Sequence, residues 1–321
     1  MGMQPKLKIA VVVPCYRVKD AILEVIKNIG PEVTQIIVVD DACPDGSGKL
    51  VESTAKDKRI IVLYNNENLG VGGAVVKGYR QALISGADIV IKLDGDGQMD
   101  PSLIPIFTKP LMEQWADYTK GNRFFNIEHI RAMPKARIFG NLVLSFFAKF
   151  STGYWRIFDP NNGFTAINRH ALQRIDLDKL DNGYFFESDL LFRLNLARAV
   201  VVDVPMEAKY GEEESNLRIK RVLMEFPVKH IRNFLKRVTY TYYLRDFTLA
   251  SLELPIGLSL TSFGFVTGLI NFLHSQSIGQ ATPTGTLILI SMSILVGIQL
   301  ILSFFAFDIE SSPTSPIGKF N

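Results

Sequence analysis

The sequence predicts an α/β domain in which helices cover a parallel sheet, followed by a pair of membrane-spanning helices. Short apolar runs alternate with helical patterns four times between residues 7 and 93, which is typical of consecutive strand–helix units. Polar residues and glycines directly follow the ends of these runs. Two long stretches without a charged residue, 254–273 and 281–307, come near the end of the chain.

Seven apolar runs of strand length are predicted. They are Leu7–Pro14, Gln35–Val39, Arg59–Tyr64, Asp88–Leu93, Asp117–Asn122, Phe164–Ile167 and Ala199–Pro205. The helices predicted between the first four are Ala21–Ile29, capped by Asp20, then Asp45–Ser53 and Gly70–Ser85. In parallel sheets of this kind, ligands bind beyond the carboxyl ends of the strands. Because Pro14-Cys15-Tyr16, Asp40-Asp41 and Asp94-Gly95-Asp96 all follow such ends, we expect a ligand site at that edge.

The stretch Ile89–Asp100 gives the strongest indication of chemistry. A β-branched strand ends in two carboxylates one residue apart, Asp94 and Asp96, which lie among glycines. Two carboxylates at this spacing can hold a hard divalent cation, with phosphate oxygens of a substrate completing the coordination shell. The glycines allow a bulky anion to approach the backbone. The alternative that the residues leave open is a solvated Asp-Gly turn after an ordinary strand.

A glycine-rich segment, Asn68–Ala74, opens the third predicted helix. It is similar to a loop that cradles phosphate at a helix N-terminus. However, it lacks the third glycine of the dinucleotide fingerprint, follows the third strand instead of the first, and is not followed by a Lys-Ser/Thr pair. The interpretation we favour is that its small residues allow this helix to pack closely on the sheet.

Three later segments carry weaker patterns. A helix is predicted from Pro134 to about Ser151, and its apolar middle fits either a membrane interface or the core. The loop Asp159–Phe164 is rich in turn residues and precedes a strand. Glu187 and Asp189 fall in the first turn of a further helix, where acidic side chains complement the helix dipole.

The net charge of +3 is unevenly distributed along the chain. Residues 1–215 carry 26 Lys and Arg against 27 Asp and Glu, whereas residues 216–247 carry 8 against 2. In the second segment apolar residues recur at helical spacing, with a break at Pro227. This pattern predicts basic amphipathic helices of the kind that lie on anionic lipid. Nucleic acid would also suit a basic segment, but the uncharged stretches that follow favour a membrane and no nucleic-acid partner.

Each uncharged stretch is long enough to cross the roughly 30 Å hydrocarbon core of a bilayer. The basic segment adjoins the first stretch, so the positive-inside rule places the large domain and both termini in the cytoplasm. Gly264 and Gly268 form a small-xxx-small pattern, through which the spans would pack on each other or on other subunits of a homo-oligomer. The two cysteines, Cys15 and Cys43, have no metal-binding spacing and fit a reduced cytosolic domain.

These observations divide the chain into four parts. We expect a cytoplasmic domain with the ligand site at 1–215 and basic juxtamembrane helices at 216–247. A transmembrane hairpin at 248–310 follows, with spans at about 254–273 and 284–307, and then a cytoplasmic tail at 311–321. No apolar signal segment precedes the first strand.

Several motifs resemble those of glycosyltransferase family 2, in particular the polyprenyl-phosphate glycosyltransferases. The family's Pro-x-Tyr, Val-Asp-Asp and Asp-x-Asp-x-Gln correspond to Pro14-Cys15-Tyr16, Val39-Asp40-Asp41 and Asp94–Gln98, in the same order and at similar spacing. Its Asp-x-x-x-Gly-Phe corresponds to Asp159–Phe164. The resemblance covers residues 8 to about 217, and the two spans resemble the bacterial subgroup that glucosylates undecaprenyl phosphate.

This resemblance implies a GT-A fold, which is Rossmann-like, and a set of roles for individual residues. The implied donor-binding residues are Pro14, Tyr16, Asp40, Asp41, Asp94 and Gly95. The implied ligands of Mg²⁺ or Mn²⁺ are Asp94, Asp96 and Gln98. The implied partners of the acceptor phosphate are Arg123, Arg137 and Lys209. Asp159 and Asp96 are the implied residues at the reacting centre.

The resemblance further implies inverting transfer of a hexose from a nucleotide sugar to a polyprenyl phosphate at the cytoplasmic membrane face. Glucose from UDP-glucose and undecaprenyl phosphate are the expected substrates, with mannose from GDP-mannose as an alternative. A non-catalytic, membrane-anchored nucleotide-sugar scaffold is another alternative. A processive polysaccharide synthase is disfavoured because the Gln-x-x-Arg-Trp motif is absent, and a nicotinamide oxidoreductase because the fingerprint is incomplete.

The chain departs from the family pattern at two places. Arg17-Val18 stand where the family has Asn-Glu beside the nucleotide. Glu213–Asn216 stand where the family has Gly-Glu-Ser-Lys. The first departure affects the contacts expected for the donor's base and sugar.

Overall fold

The computed structural model describes residues 7–125, 135–207 and 219–320. It divides into two compact units, one of Met1–Phe234 with Pro313–Asn321 and the other of Leu235–Ser312. The first unit contains a seven-stranded sheet in the order β3-β2-β1-β4-β6-β5-β7. Its strands are β1 (Ile9–Cys15), β2 (Gln35–Asp40), β3 (Ile60–Tyr64), β4 (Ile89–Lys92), β5 (Tyr118–Asn122), β6 (Thr165–Asn168) and β7 (Val201–Pro205).

The sequence predicts a parallel sheet, but the observed sheet is mixed. β1 is parallel to β2 and β4, β2 to β3, and β5 to β7, whereas β6 is antiparallel to both β4 and β5. The register pairs Val12 of β1 with Lys92 of β4, and Lys92 in turn with Thr165 of β6. Because β6 is reversed, the loop that precedes it lies at the edge where its neighbours end.

The helices of the first unit flank this sheet. They are α1 (Ile22–Lys27), α2 (Ser47–Thr54), α3 (Gly70–Ile84), α4 (Ile104–Met112), α5 (Lys135–Thr152), α6 (Arg169–Arg174) and α7 (Phe186–Leu196). A longer helix, α8 (Ile219–Thr239), begins in the first unit and continues into the second.

Two apolar clusters occupy the two faces of the sheet. Side chains of β1 alternate between them, with Val12 in one cluster and Val11 and Val13 in the other, as the two-residue period of a strand requires. The first cluster contains residues of α3, α6 and α7, and the second contains residues of α1, α2 and α4. Both faces are therefore covered, which explains why the strands are almost continuously apolar.

Most strands and helices of the first unit begin and end within two residues of the predicted bounds. Helices α4 and α6 were not predicted. Asp20 does not cap α1, since the residue before that helix is Ala21 and it makes no side-chain cap bond. The predicted break at Pro227 is wrong, because α8 runs through this proline. The helical pattern predicted to reach Arg245 ends as an α-helix at Thr239, and a π-helical turn, Tyr240–Arg245, follows.

The second unit is a helical hairpin made of α9 (Leu249–Ile278) and α10 (Thr284–Glu310). Both helices are long and apolar enough to cross a membrane, and both extend beyond the predicted spans at 254–273 and 284–307. Only 11% of the most apolar part of each helix is buried. Their apolar side chains therefore face outward, which is unlike the core helices of a soluble protein and typical of helices in lipid.

Glycines bring α9 and α10 into close contact. A Cβ atom on Gly257 would lie 2.9 Å from the carbonyl oxygen of Gly297, and one on Gly264 would lie 2.7 Å from Cγ1 of Ile294. Around Gly268 the fit is looser, with the nearest atom at 3.2 Å. The expectation that the small-xxx-small pattern packs one span on the other is thus confirmed for Gly264, while an oligomer remains a prediction.

A buried ion pair joins the two ends of the second unit. The Arg237 guanidinium donates to both carboxylate oxygens of Asp308 at 2.6 and 2.9 Å, and the Tyr242 hydroxyl donates to the same carboxylate at 2.6 Å. All three side chains are buried. Removing one partner of such a pair typically costs about 3–5 kcal/mol, because an uncompensated charge is left behind. The end of α8 is therefore fixed to the end of α10.

Candidate active site

Segments that carry predicted site residues meet at one edge of the sheet. β1, β2, β4 and β5 all end there, and the loop before β6 lies at the same edge because β6 is reversed. The packing is close: a Cβ atom on Gly163, in the loop before β6, would lie 2.4 Å from Oδ2 of Asp94. The structure thus brings the segment after β4 and the segment before β6 into direct contact.

Lys92 is the last residue of β4, and its side chain is 1% exposed. Its ammonium donates to Asp94 Oδ1 at 2.8 Å and to the carbonyl oxygen of Gly163 at 3.3 Å, and it forms an ion pair with Glu187 Oε1 at 3.2 Å. Glu187 lies in the first turn of α7. We refer to Lys92, Asp94 and Glu187 as the Lys92 cluster.

The Lys92 cluster keeps a buried lysine charged. Burial by itself would lower the pKa of Lys92, but the carboxylates of Asp94 and Glu187 outweigh burial and raise the pKa of Lys92 above its usual value. The cluster therefore contains one cation and two carboxylates, of which Asp94 is the more exposed at 27%.

The predicted metal ligands lie on the short turn after β4. Asp96 Oδ1 accepts a hydrogen bond from the backbone N–H of Gln98 at 3.0 Å, and Gly97 has a φ of +80° that closes the turn. Among the residues that the structure describes, no group of three or more His, Cys, Asp or Glu side chains forms a metal cage. Two carboxylates on a half-buried turn do fit a cation such as Mg²⁺ or Mn²⁺, which binds through one or two carboxylates and a substrate's phosphate oxygens.

Gly95, between the two acids, is buried against α1. A Cβ atom there would lie 2.9 Å from Cδ1 of Ile22 and 3.3 Å from Cγ2 of Val18. The absence of a side chain thus allows the turn to pack on α1, and direct contact of Gly95 with a donor remains a prediction.

Asp40, at the end of β2, is buried and fully used by the backbone. Its Oδ1 accepts from the N–H of Cys43 at 2.7 Å, and its Oδ2 accepts from the N–H of Gly48 at 2.8 Å. A Cβ atom on Gly48 would lie 2.4 Å from Asp40 Oδ2. Asp40 therefore fixes the turn into α2, and its predicted contact with the donor stays a prediction.

Asp41 holds the start of α3 in a similar way. Its two carboxylate oxygens accept from the N–H groups of Leu69 and Gly70 at 3.0 and 2.8 Å, and Oδ1 also accepts from Asn65 Nδ2 at 2.6 Å. The carboxylate complements the positive end of the helix dipole. Asp41 is consequently buried, like Asp40.

The glycine-rich start of α3 packs against protein. The N–H groups of Gly72 and Gly73 donate to the carbonyl oxygen of Asn182 at 2.9 and 3.3 Å. A Cβ atom on Gly72 would lie 2.2 Å from the carbonyl oxygen of Asp181, and one on Gly78 would lie 2.3 Å from Val12 Cγ1. The glycines of α3 therefore serve close packing, on a neighbouring loop at the N-terminus and on the sheet at Gly78.

Pro14 and Tyr16 lie at the end of β1. The Tyr16 ring is exposed, and the guanidinium of Arg17 lies over it with 5.5 Å between Cζ and the ring centroid. Arg17 adopts a φ of +56°, which is uncommon for a residue with a side chain. The arginine that replaces the family's asparagine thus forms a cation–π contact at the surface.

Arg123 and Asp159 are predicted site residues that bind each other. Arg123 Nε and one terminal nitrogen donate to the two oxygens of Asp159, each at 2.7 Å, and Asn162 Nδ2 donates to Oδ2 at 3.1 Å. Burial would raise the pKa of Asp159, but the bonds and charge of Arg123 outweigh it and lower that pKa. Asp159 is therefore an ionised carboxylate that orients Arg123, whose side chain is 19% exposed.

A second buried lysine fixes the backbone of Asp159. Lys120 Nζ donates to the carbonyl oxygens of Phe158 and Asp159 at 2.5 and 2.7 Å, and it lies 3.2 Å from a carboxylate oxygen of Asp203. Asp159 has a φ of +53°, a left-handed conformation that aspartate tolerates better than most residues. These bonds maintain that conformation next to the predicted reacting centre.

Two predicted phosphate-binding residues cannot be placed. Lys209 lies outside the described residues. Arg137 belongs to α5, but its side chain also lies outside the described part of the chain. Their roles stay predictions.

The sequence interpretation assigned no role to Lys92 and only a dipole role to Glu187. A signal was present, because Lys92 is a charged residue within an apolar, β-branched run predicted to be a buried strand. Buried charges are normally paired, so a partner was to be expected. The sequence does not identify Glu187 as that partner, since it lies in another element.

Comparison with known proteins places these features in a family. A family model described as Glycosyl transferase family 2 matches residues 10–176. This range contains β2 to β6 completely and all of β1 except Ile9, and it ends before β7.

Curated relatives match the chain over about 210–220 residues. A UDP-N-acetylglucosamine–dolichyl-phosphate N-acetylglucosaminyltransferase of Methanococcus voltae is 27% identical over 218 residues, covering 64% of this chain and 86% of the relative. An undecaprenyl-phosphate mannosyltransferase of Micrococcus luteus is 28% identical, with 65% and 87% covered. A polyprenol monophosphomannose synthase of Mycolicibacterium smegmatis is 27% identical, with 64% and 78% covered.

Solved structures share the fold of the first unit. Glucosyl-3-phosphoglycerate synthase from Mycobacterium tuberculosis, in complex with Mn²⁺, UDP and glucosyl-3-phosphoglycerate, superposes with a TM-score of 0.53 at 20% identity, covering 72% of this chain and 80% of that one. Mannosyl-3-phosphoglycerate synthase from Rubrobacter xylanophilus gives a TM-score of 0.52 at 19% identity, with 75% and 77% covered. The α/β unit thus has the GT-A-like fold of these glycosyltransferases.

Proposed function

The chain belongs to glycosyltransferase family 2, and we propose that it transfers a hexose from a nucleotide sugar to a polyprenyl phosphate. Relatives named for transfer to dolichyl, undecaprenyl and polyprenol phosphates support this acceptor. One observation carries the proposal. A family-2 domain with two partly exposed carboxylates at its ligand edge is joined to a hairpin whose apolar surface faces outward.

We propose glucose from UDP-glucose as the sugar and undecaprenyl phosphate as the acceptor. The basis is the resemblance of the two-span tail to the bacterial subgroup that glucosylates this lipid. The relatives differ in the sugar that they are named for, either N-acetylglucosamine or mannose. Mannose from GDP-mannose is therefore the alternative donor.

The proposed reaction is a single displacement with inversion at the anomeric carbon. The acceptor's phosphate oxygen forms the new bond to that carbon, and the nucleoside diphosphate leaves with the electron pair of the bond that breaks. A phosphate monoester with a second pKa near 6 is largely ionised at pH 7, so the nucleophile hardly needs a general base. This agrees with Asp159, which is already committed to Arg123.

Several residues of this chain would bind and orient the substrates. Asp94, Asp96 and Gln98 would hold Mg²⁺ or Mn²⁺, which when bound supplies positive charge for the leaving diphosphate. Arg123, oriented by Asp159, would bind the acceptor phosphate by charge-assisted hydrogen bonds. Arg137 and Lys209 are the further proposed phosphate partners, and Pro14, Tyr16, Asp40 and Asp41 would form the donor's side of the site.

The proposed membrane arrangement follows from the division of the chain. Residues 1–215 would form the catalytic domain in the cytoplasm, 216–247 the basic segment on the membrane surface, and 248–310 the hairpin across the bilayer. Residues 311–321 would return to the cytoplasm. Basic side chains next to the first span support this orientation.

A transfer assay tests this proposal. The full chain, purified in lipid nanodiscs, is given radiolabelled UDP-glucose, GDP-mannose or UDP-N-acetylglucosamine with undecaprenyl phosphate and Mg²⁺ or Mn²⁺. We expect label in an acid-labile lipid product from UDP-glucose, and none when undecaprenol replaces its phosphate. Donor binding without transfer from any of the three would instead indicate a non-catalytic scaffold.

A further inference from the structure

The geometry points to Lys92 as a positioning residue that, with Glu187 as its counter-ion, orients the Asp94 carboxylate for a divalent cation. This inference rests on the proposed function and names a determinant of metal binding beyond the Asp-x-Asp motif. It starts from the three contacts of the Lys92 ammonium, with Asp94 Oδ1 at 2.8 Å, Glu187 Oε1 at 3.2 Å and the Gly163 carbonyl oxygen at 3.3 Å.

These contacts use the bonding capacity of Lys92. An ammonium group has three N–H donors, and three oxygens from three separate segments surround this one. The side chain is 1% exposed, so it has no face left for a substrate. Lys92 therefore acts through Asp94, and a direct role in binding the donor is excluded by its burial.

The contacts also restrict the Asp94 carboxylate. Oδ1 is bonded to Lys92, while Oδ2 lies against Gly163, where a Cβ atom would be only 2.4 Å away. A side chain held on both oxygens has little rotational freedom. Groups that orient a metal-binding side chain in this way commonly change metal affinity by about 10- to 100-fold when they are removed.

Glu187 explains how Asp94 keeps negative charge for a cation. If Lys92 faced Asp94 alone, the two charges would cancel and the pair would attract a cation weakly. With Glu187 the Lys92 cluster has a formal charge of −1, and Asp94 is its more exposed carboxylate. The buried carboxylate thus balances the lysine and leaves the exposed one available.

Stabilising the core does not explain why Lys92 and Glu187 are charged. A buried ion pair rarely stabilises a fold more than well-packed apolar side chains of similar volume, and the residues next to Lys92 in sequence are Ile91 and Leu93. An apolar residue would satisfy the core at this position. Core packing therefore does not account for a lysine at this position, next to the acidic turn, whereas orientation of Asp94 does.

The test distinguishes the effect of orienting the Asp94 carboxylate from the effect of the cluster's formal charge. The double variant Lys92→Met/Glu187→Gln removes one cation and one anion, so the formal charge of the cluster stays at −1. Mn²⁺ binding to the full chain in detergent, with saturating UDP and no acceptor, is followed by electron paramagnetic resonance of free Mn²⁺. We expect the dissociation constant for Mn²⁺ to rise about 10- to 100-fold, and an affinity within twofold of wild type overturns the inference.

A matched control removes an ion pair at the opposite edge of the sheet. Arg59 precedes β3 and pairs with Asp57 at 2.7 Å, and its guanidinium also binds carbonyl oxygens of Ile29 and Val33. The variant Asp57→Asn/Arg59→Met should lower the melting temperature and leave Mn²⁺ affinity unchanged. If it weakens Mn²⁺ binding as much as the Lys92 double variant, the effect is general destabilisation and the inference is wrong.

A single variant covers the case in which the double variant does not fold. Glu187→Gln leaves the contact of Lys92 with Asp94 in place but brings the cluster to a formal charge of zero, so Mn²⁺ binding should weaken. Wild-type affinity in Glu187→Gln would overturn the counter-ion role. A wild-type chain that binds no Mn²⁺ with UDP would overturn the proposed function together with this inference, whereas equal binding by wild type and variants would overturn this inference alone.

Discussion

The aspartates at one edge of the sheet differ in burial and in hydrogen bonding, and these differences indicate which of them can bind a cation. Asp40, Asp41 and Asp159 are 4%, 3% and 1% exposed and have oxygens bonded to backbone N–H groups or to Arg123. Asp94 is 27% exposed and Asp96 is half-buried. A cation approaching from solvent can therefore reach the pair after β4, whereas the other three acids shape the turns around it.

The first prediction concerns Asp94. Asp94→Asn keeps the size of the side chain but removes the charge that would hold a cation and pair with Lys92. Loss of metal stabilisation of the leaving group is worth several kcal/mol, and each 1.4 kcal/mol is tenfold in rate. We expect kcat for sugar transfer to polyprenyl phosphate to fall at least about 100-fold.

Asp100→Asn is the control for this experiment. Asp100 lies on the same loop, where its Oδ1 caps the next turn by accepting from the N–H of Ser102 at 2.9 Å. Asparagine caps a helical turn about as well as aspartate, so Asp100→Asn should keep this bond and leave kcat within a few-fold of wild type. An Asp94→Asn enzyme with unchanged turnover would remove Asp94 from the metal site.

His230 provides a prediction on pH. It is buried between aromatic rings, with Phe185 at a centroid distance of 4.8 Å and its Nδ1 2.7 Å from Ser151 Oγ. Burial lowers the pKa of His230 from 6.5 to about 4. Between these values the unfolded chain binds more protons than the folded one, so the free energy of unfolding falls as the pH drops from 6.5 to 4. The loss contributed by this group is on the order of 3 kcal/mol.

Thermal unfolding at several pH values measures this effect. The melting temperature of the wild-type chain should fall between pH 7 and pH 5, and the fall should be smaller in His230→Asn, which cannot gain the proton. His170→Asn serves as the control, because His170 is exposed. Parallel curves for wild type and His230→Asn would show that this histidine does not couple stability to pH.

Local sequence patterns predict that a strand or helix exists better than they predict the direction in which a strand runs in its sheet. Strand β6 was predicted at the right place, but its direction depends on the path of the chain after β5. Some forty residues separate β5 from β6, and a connection of that length allows either direction. Helix α4 was missed because Pro105 and Pro110 disguise its pattern, although one proline lies in its first turn and is tolerated there.

The uninterrupted α8 shows tertiary packing overriding a local signal. A proline inside a helix costs about 3 kcal/mol, which is why Pro227 predicts a break. Here the residues on both sides of the proline are buried, Phe226 against Phe185 and His230 against the same ring. Burial of one or two large side chains contributes roughly 1.5–3 kcal/mol each, enough to offset the proline. The sequence does not reveal that these partners exist.

The site shows the same division between local and tertiary information. The alternation of strands and helices predicted that the acidic turn and the ends of β1 and β2 meet at one edge, whereas Arg123 was implied by the family resemblance. The hydrogen bonds of Asp41 to the start of α3 and the pairing of Arg123 with Asp159 required the structure, because they join residues 28 and 36 positions apart in sequence. For Lys92 the sequence supplied part of the information: its burial was predictable, but its ion-pair partners were not.

The contact between α9 and α10 yields a further prediction. A Cβ atom on Gly297 would lie 2.3 Å from Thr261 Oγ1 and 2.8 Å from the carbonyl oxygen of Gly257. Gly297→Ala must therefore push the helices apart, and overpacking of this kind costs about 1–3 kcal/mol. We expect a lower melting temperature in detergent. Gly285→Ala, where a Cβ atom meets nothing within 4 Å, should show no loss, and equal behaviour of both variants would contradict the close contact.

At the scale of the whole molecule, the end of the chain belongs to the α/β unit. Residues 313–321 are grouped with residues 1–234, although the helical hairpin separates them in sequence. Ile317 is part of the apolar cluster that contains α3, and its N–H donates to both oxygens of Asp117 at 3.0 Å. Asp117 also accepts from the N–H of Val200 at 2.8 Å. The tail is thus part of the core of the α/β unit.

This attachment predicts the topology independently of the charge distribution. Because the segments before and after the hairpin fold into one unit, both must lie on the same side of any bilayer that the chain crosses. The predicted number of crossings is therefore even, and α9 and α10 would provide two. Single cysteines at Ser277, in the last turn of α9, and at Thr314, in the tail, would report the two sides in a background without Cys15 and Cys43. Both positions are exposed. A membrane-impermeant maleimide added to intact cells should label Ser277→Cys, and it should label Thr314→Cys only after permeabilisation. Equal labelling of both in intact cells would mean that the tail and the connection face the same side, and the hairpin would then not span the membrane.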